Sequence, residues 1–438
     1  VRLLGCALLA VISGLATGGY AGDHSDLAIQ RTLVAVRRQP AVFPGDLVAD
    51  HALAHPSWLF DLWALLPAGS AAELLVHVLL LGLIGAGAAR AAQSLGARGV
   101  GMALAAAVIV LPRALLAEGR LVHAAPLARN LALGLHLWGL AAALRGAGAR
   151  AGVWAGLALA AHPTTGLPGL LVLGGVATTR RGGSRQLGAL LGLAVLVGGV
   201  VLGPWLLLAE PGPASSLQAR LLALRLGHHL DVVSWDPGGW AIVVVHLGLA
   251  LAAAWRLRSP SLAVGAGLAL GLVGLGVLAR PTLLPDLSRL HLAYAAGWLA
   301  VVAVLGGARA VERRGWRGGL WLLPMVVLFE NTVVDELPGG GWRVAPPVQA
   351  AEGTAPPRMD CREDAWVRHR EGRPVHFSIK DGGEVVGSAV FAARWARRLE
   401  ALCGPTTTAA PVDGRPVGRG WERIAARCAH VPRCGGAP

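Results

Sequence analysis

Eleven apolar stretches run through the first 335 residues, at 2–20, 72–89, 99–112, 127–144, 151–161, 166–178, 187–209, 239–254, 260–279, 291–308 and 318–333. A bilayer core of about 30 Å takes roughly 20 helical residues. Nine of the stretches approach that length once interfacial residues are counted, whereas 151–161 and 166–178 fall short. The short pair predicts a helical hairpin turned at His162-Pro-Thr-Thr-Gly-Leu-Pro168. Such a turn is tolerated at membrane depth only against protein or a wet cavity. It returns the chain to its own side and leaves the downstream topology unchanged. The pattern predicts an all-α polytopic membrane protein of about nine spanning helices plus the hairpin.

The long polar interruption at 20–71 has its own periodicity. Asp23 to Arg38 predicts an amphipathic helix with Leu27, Leu33 and Val34 as its apolar contacts. Pro40, Pro44 and Gly45 then forbid regular helix. Further helices are expected over Leu47–Ala54 and Trp58–Leu66, the second with aromatics suited to an interface. The first stretch, preceded by Arg2, shows no small-residue cleavage pattern before Asp23 and reads as an uncleaved helix. Past residue 335 the apolar pattern stops. A Pro/Gly-rich linker at 336–357 leads to a small α/β domain at 358–438, with strands at His376–Ile379 and Val385–Val390 around Asp381-Gly-Gly and a helix over Phe391–Leu402.

Composition sharpens this picture. Hydrophobic residues make up 54% of the chain and aromatics only 5%, while 61 residues are glycine. Helices of this kind associate through small residues, because lipid supplies no hydrophobic drive for association. A net charge of +14 would suggest nucleic acid only on a basic soluble face, and here it follows topology instead. One alternating set of connections carries thirteen arginines, from Arg90 to Arg317, against the single acid Glu312. That side is predicted to be cytoplasmic. The loop at 20–71 and, after an odd number of crossings, the C-terminal domain then face outward. There Cys361, Cys403, Cys428 and Cys434 are expected to form two disulfides in an oxidising compartment. Cys6 stays in the first helix.

Ionisable groups concentrate on the outer side. Asp23, Asp26, Asp46, Asp50 and Asp61, with His24, His51 and His55, lie in the first loop; Arg113, Glu118, Arg120 and His123 in the second; His228, His229, Asp231 and Asp236 in a later one; Arg280, Asp286, Arg289 and His291 in the last. The centres of the spanning stretches carry no charge, and His136 and His246 are read there as packing residues. A coupled transporter would need polar groups at the midplane. Moving a sugar off a polyprenyl phosphate needs a carboxylate to activate the acceptor or hold a divalent metal, and Arg or His to hold the phosphate. Asp23 and Asp26 are the candidate carboxylates, and Arg113, Arg120, His123 and Arg289 the candidate phosphate ligands. Asp23 with His24 is the candidate pair for Mg or Mn. Asp23 also stands where a helix cap is wanted.

A first helix followed at once by Asp23-His-Ser-Asp26 in a large loop with interfacial helices, then many short-looped helices and a C-terminal domain, resembles the integral-membrane glycosyltransferases of GT-C architecture. Gln39-Pro-Ala-Val-Phe-Pro-Gly-Asp46 and Ala161-His-Pro-Thr-Thr-Gly166 are similar to phrases in a bacterial branch of that superfamily. The paired acidic dipeptide of several branches is absent, since His24 follows Asp23. The resemblance covers 1–335. It implies an enzyme of the bacterial cytoplasmic (inner) membrane, inverting at the anomeric carbon, with a polyprenyl-phosphate sugar donor, a glycan, lipid or protein acceptor, and Asp23 as base or metal ligand. The contrasting expectation is a non-catalytic membrane protein or permease whose outer loops serve assembly or ligand capture.

Overall fold

The computed structural model describes residues 2–315 apart from 23, 53, 54, 56, 112–120, 209–215, 231, 233, 234, 236, 280–283, 285, 286, 288 and 289; beyond 315 it describes 342, 343, 358–360, 368, 369, 374–378, 381, 388–404, 424 and 428. The protein is mostly helical. In chain order the elements are α1 (Arg2–Gly18), β1 (Tyr20–Ala21), α2 (Ser25–Arg38), α3 (Leu47–Asp50), α4 (Trp58–Ala64), α5 (Ser70–Ser94), α6 (Gly99–Ile109), α7 (Ala128–Leu144), α8 (Gly148–Ala161), α9 (Pro163–Thr178), α10 (Gly183–Leu208), α11 (Ser216–Leu230), α12 (Pro237–Leu257) and α13 (Pro260–Leu278). A 3-10 turn at Leu292–Ala295 runs into α14 (Ala296–Arg314). β2 (Trp342–Arg343), β3 (Arg358–Asp360), β4 (Val375–Ser378) and α15 (Ala389–Cys403) follow. Among the described residues five helices are long and apolar enough to cross a membrane: Ser70–Ser94, Gly183–Gly203, Pro237–Leu257, Pro260–Leu278 and Leu292–Arg314.

Small residues set the helix contacts, as the glycine content leads one to expect. Gly148, Gly152 and Gly156 recur every fourth position along one face of α8, where α10 lies against them. A Cβ at Gly148 or Gly152 would overlap the Gln186 or Leu190 carbonyl, and one at Gly156 would sit 2.8 Å from Ala194 O. This register makes α8 and α10 parallel. α9, which joins them, therefore runs antiparallel to both, and its Gly166 backs onto Leu159 of α8. The break is sharp because His162 alone separates the helices, in extended conformation, with Pro163 opening α9. The hairpin thus returns to the end from which it started.

The same reasoning orders the rest. α1 lies antiparallel to α5, with Gly14 against Leu81 and Ala10 against Gly85. α14 brings Ala308 to Gly101 of α6 and Gly306 to Ala253 of α12. The arginine-rich connections near 96–98, 145–150, 180–185, 256–258 and 309–314 consequently gather at one end of the bundle, and the 20–66 loop lies at the other. Inside the bundle His136 packs over Gly169 and edge-on to Trp298 at 5.8 Å. His77 on α5, not among the histidines nominated from sequence, is buried as well.

At the loop end a second core joins α2, α3 and α4 to α11 and to the C-terminal segment, through Leu27, Leu33, Phe60, Leu221, Phe377 and Trp395. Both arginines closing α2 hold the loop together. Arg37 reaches Asp61 (2.8 Å) and the Ala52 and His55 carbonyls, and Arg38 reaches the Trp63 and Leu66 carbonyls. Asp46 caps α3 through Val48 N and Ala49 N. Its other oxygen accepts from Arg368 Nε (2.6 Å) and Val375 N (2.8 Å), and Arg368 also holds Asp381. The side chains of Asp46 and Arg368 are fully buried. Burial alone would lower the Arg368 pKa; Asp381 and then Asp46 more than reverse this and hold the guanidinium above its ordinary value, charged throughout. Cys403 and Cys428 form a disulfide that packs into this same core, while Cys361 and Cys434 lie outside the described residues.

Two expectations change. The helix expected over 47–54 stops at Asp50, with His51 as its C-cap. Of the strand expected over 385–390, Ala389 and Val390 belong instead to α15, because Ser388 accepts the N–H of Phe391 and starts the helix at Ala389, while 385–387 lie outside the described residues.

Candidate functional site

The chain leaves α1 into β1, which pairs in parallel with β2, and Ala21 N donates to Ala124 O at 2.7 Å. His24 then caps α2, its Nδ1 accepting from Asp26 N at 3.1 Å. The cap of α2 is therefore supplied by His24. Asp26, in the first turn of α2, meets Arg129 in the first turn of α7, with Nη2 donating to Oδ2 at 3.0 Å. Arg129 Nη1 lies 3.2 Å from His123 Nε2. A guanidinium only donates, so His123 accepts on Nε2 and carries its proton on Nδ1. The His24 ring stands edge-on to His123, with centroids 5.6 Å apart.

Asn130 shapes the loop that carries His123. Fully buried, it accepts from His123 N (3.1 Å) and donates to the His123 and Ala125 carbonyls (2.9 Å each). The hairpin turn closes the group. His162 caps α9, its Nδ1 accepting from Thr165 N at 3.3 Å with Thr164 Oγ1 at 3.2 Å. Its ring is held neutral, with a pKa pushed down to about 3, first by desolvation and then by the charge of Arg129, against the opposing pull of Asp26. On the side toward the last helix lies a ring cluster in which His291 is 5.2 Å from Tyr294 and 6.4 Å from His229. His291 adopts left-handed backbone, φ 49°, uncommon for a residue with a Cβ.

Three helix N-termini, those of α2, α7 and α9, are thus brought together around Arg129. Each contributes about half a positive charge and outward-facing N–H groups. A cation in the first turn of α7 works against that helix's dipole. Asp26 offsets the conflict in part, with both side chains about a quarter exposed. Such an arrangement is suited to an anion.

Of the residues nominated from sequence, Asp26, His24 and His123 are brought together. Asp23, Arg113, Arg120 and Arg289 lie outside the described residues, as do Glu118, Asp231, Asp236, Arg280 and Asp286. Asp46 and Asp61 serve the loop's own architecture. The His51 ring packs edge-on to Phe391 at 5.4 Å and its Nδ1 lies 3.0 Å from Leu47 O, so it joins loop to C-terminal segment. Among the described residues no three His, Cys, Asp or Glu side chains are disposed to hold a metal ion. Arg129 and Asn130 were not singled out in the sequence. The available signal was a lone charge in the first turn of an otherwise apolar helix.

Comparison with protein family models, with curated proteins and with solved structures gave no match. Fold and apolar helices define the class, a multi-pass helical membrane protein, with a histidine- and arginine-bearing polar cluster at one end.

Proposed function

We propose that the chain is an integral-membrane glycosyltransferase of GT-C type, transferring a sugar from a polyprenyl phosphate to a glycan, lipid or protein acceptor at the outer face of a bacterial cytoplasmic membrane. The observation that carries the reading is the convergence of Asp26, Arg129, His123 and His162 at three helix N-termini, with His24, the chain neighbour of Asp23, among them. In this reading the phosphate of the donor lies against Arg129 and the helix N-termini, where charge building on the leaving oxygen is stabilised. Asp23 takes the proton of the acceptor hydroxyl as that oxygen attacks the anomeric carbon and the sugar–phosphate bond breaks. Asp26 holds Arg129 in place. Arg113, Arg120 and Arg289 would add cations to the same phosphate, and Mg or Mn at Asp23 and His24 is the variant in which the carboxylate acts through a metal. The proposed topology is nine spans plus the hairpin, with the apolar stretch 318–333 as the ninth, so that loop and C-terminal domain share the outer side. Their common core and the arginine-rich opposite end support it.

The test is sugar transfer from a panel of polyprenyl-phosphate sugars by wild type, Asp23→Asn, Arg129→Gln and, as a loop control, Asp61→Asn. Loss of a general base lowers turnover by about 10²- to 10⁴-fold, whereas Asp61, half exposed, pairs with Arg37 within the loop and its loss should leave turnover largely intact. Chelation that abolishes wild-type turnover, with recovery on adding Mn, favours the metal-dependent variant. Equal turnover in all four proteins, or none by wild type with any donor, rejects the proposal.

A further inference from the structure

At the arginine-rich end, α12 and α14 finish side by side. Gly306 lets them approach until a Cβ there would overlap that of Ala253, and Ala310 continues the flat contact one turn on. Where the two helices end a cleft opens, floored by these small residues and walled by Arg256, Arg313 and Arg314. Positions 306, 310, 313 and 314 fall on one face of α14. Glu312, the only acid among the thirteen-arginine connections, faces away toward α6, where Gly101 N donates to its Oε2 at 3.3 Å. Arg309 is likewise turned to α6 and donates to the Gly96 carbonyl.

The two helix C-termini oppose an anion with about half a negative charge each, but the guanidinium charges of Arg313 and Arg314 outweigh them. Its floor is apolar and its mouth cationic. Basic pockets between helices at the cytoplasmic end of a bundle hold lipid headgroups, and guanidinium pairs phosphate oxygens two at a time.

We propose that this cleft binds the phosphate of an anionic lipid headgroup, with the acyl chains along the exposed face of α12 that carries Val244, Leu251 and Trp255 and the phosphate held by Arg313 and Arg314. The site is separate from the proposed transferase centre at the other end of the bundle and does not depend on it. It is tested on the purified full chain in maltoside detergent, measuring retention of phosphatidylglycerol or phosphatidylcholine of matched chains by native mass spectrometry, with inorganic phosphate as competitor. Each basic residue at such a surface contributes about fivefold. Phosphatidylglycerol should be retained in preference to phosphatidylcholine, and about thirtyfold more weakly by Arg313→Gln/Arg314→Gln. The pair Arg150→Gln/Arg181→Gln removes the same charge from exposed positions at the same end and should leave retention unchanged. Should the first pair fail to fold, Arg313→Gln alone takes its place, with a fivefold loss expected. Equal retention of both lipids, equal loss in the control pair, undiminished retention by Arg313→Gln, or displacement of the lipid by millimolar phosphate would overturn the proposal.

Discussion

Replacing Arg368 by Met tests how the C-terminal segment is fastened to the first loop. The substitution keeps most of the side chain's length but removes the cation between Asp46 and Asp381, both buried. Taking one partner from a buried pair costs about 3–5 kcal/mol, because the remaining charge is left in low dielectric. Here two carboxylates remain. Asp46 keeps the N–H groups of Val48, Ala49 and Val375, which favours the lower half of that range. Asp46→Asn keeps an oxygen for the α3 cap and leaves Arg368 with Asp381, so about 1–3 kcal/mol is expected. The double variant should be less harmful than the sum of the two, since it removes one stranded charge. Hydrogen exchange at the amides of β4 and α15 reads the opening directly. At 1.36 kcal/mol per decade, Arg368→Met should speed their exchange by about 10²- to 10³-fold, while bundle amides near Leu137 and Leu173 stay protected. Unchanged protection, strict additivity, or equal loss throughout the bundle would refute this account of the fastening.

Docking of the C-terminal segment should also weaken in acid. His369, whose Nε2 lies 2.9 Å from Ala28 O and 3.2 Å from Thr32 Oγ1, has a pKa pushed down to about 3, chiefly by burial, with the Ala28 carbonyl opposing and Arg31 and Arg368 adding. Between pH 6.5 and 3 the undocked state binds a proton that the docked state refuses. Stability therefore falls by up to about 1.4 kcal/mol per pH unit in that window and is unaffected above it. A pH titration of β4 exchange should show this slope, and His369→Gln should remove it. Gly152→Val drives a side chain into the Leu190 carbonyl and should lower stability in detergent by about 1–3 kcal/mol, whereas Gly188→Val, which meets open space, should not; equal melting curves would refute the close α8–α10 contact. Thiol labelling of unfolded, unreduced protein should reach Cys6 alone. A reactive Cys403 would contradict its bridge to Cys428, and a reactive Cys361 the second one. Reporter fusions at 183 and 315 should behave as cytoplasmic and those at 45, 222 and 350 as external, and a cytoplasmic result at 350 would break the proposed topology.

Local periodicity carried most of the elements. The helix at Ser25–Arg38, its end before Pro40, the paired short helices around His162, and the strand at 375–378 all follow from apolar spacing and from proline or glycine chemistry that acts within a few residues. Even α11 was within reach, since Leu217, Leu221 and Leu224 repeat at helical spacing, although the neighbouring Gln218, Arg220 and Arg225 disguised it as loop. Partnership was beyond any local rule. Asp46 looked like one more carboxylate in an acidic loop, and only the return of the chain 322 residues later makes it the buried anchor of Arg368. Arg129 sat at the edge of an apolar run until folding set it against Asp26, 103 residues away in sequence, and beside the His162 turn. Spacing along the chain determines which face of a helix a residue occupies; which charge it meets depends on long-range packing, and at this end of the bundle that packing decided which polar residues became architecture and which became a candidate site.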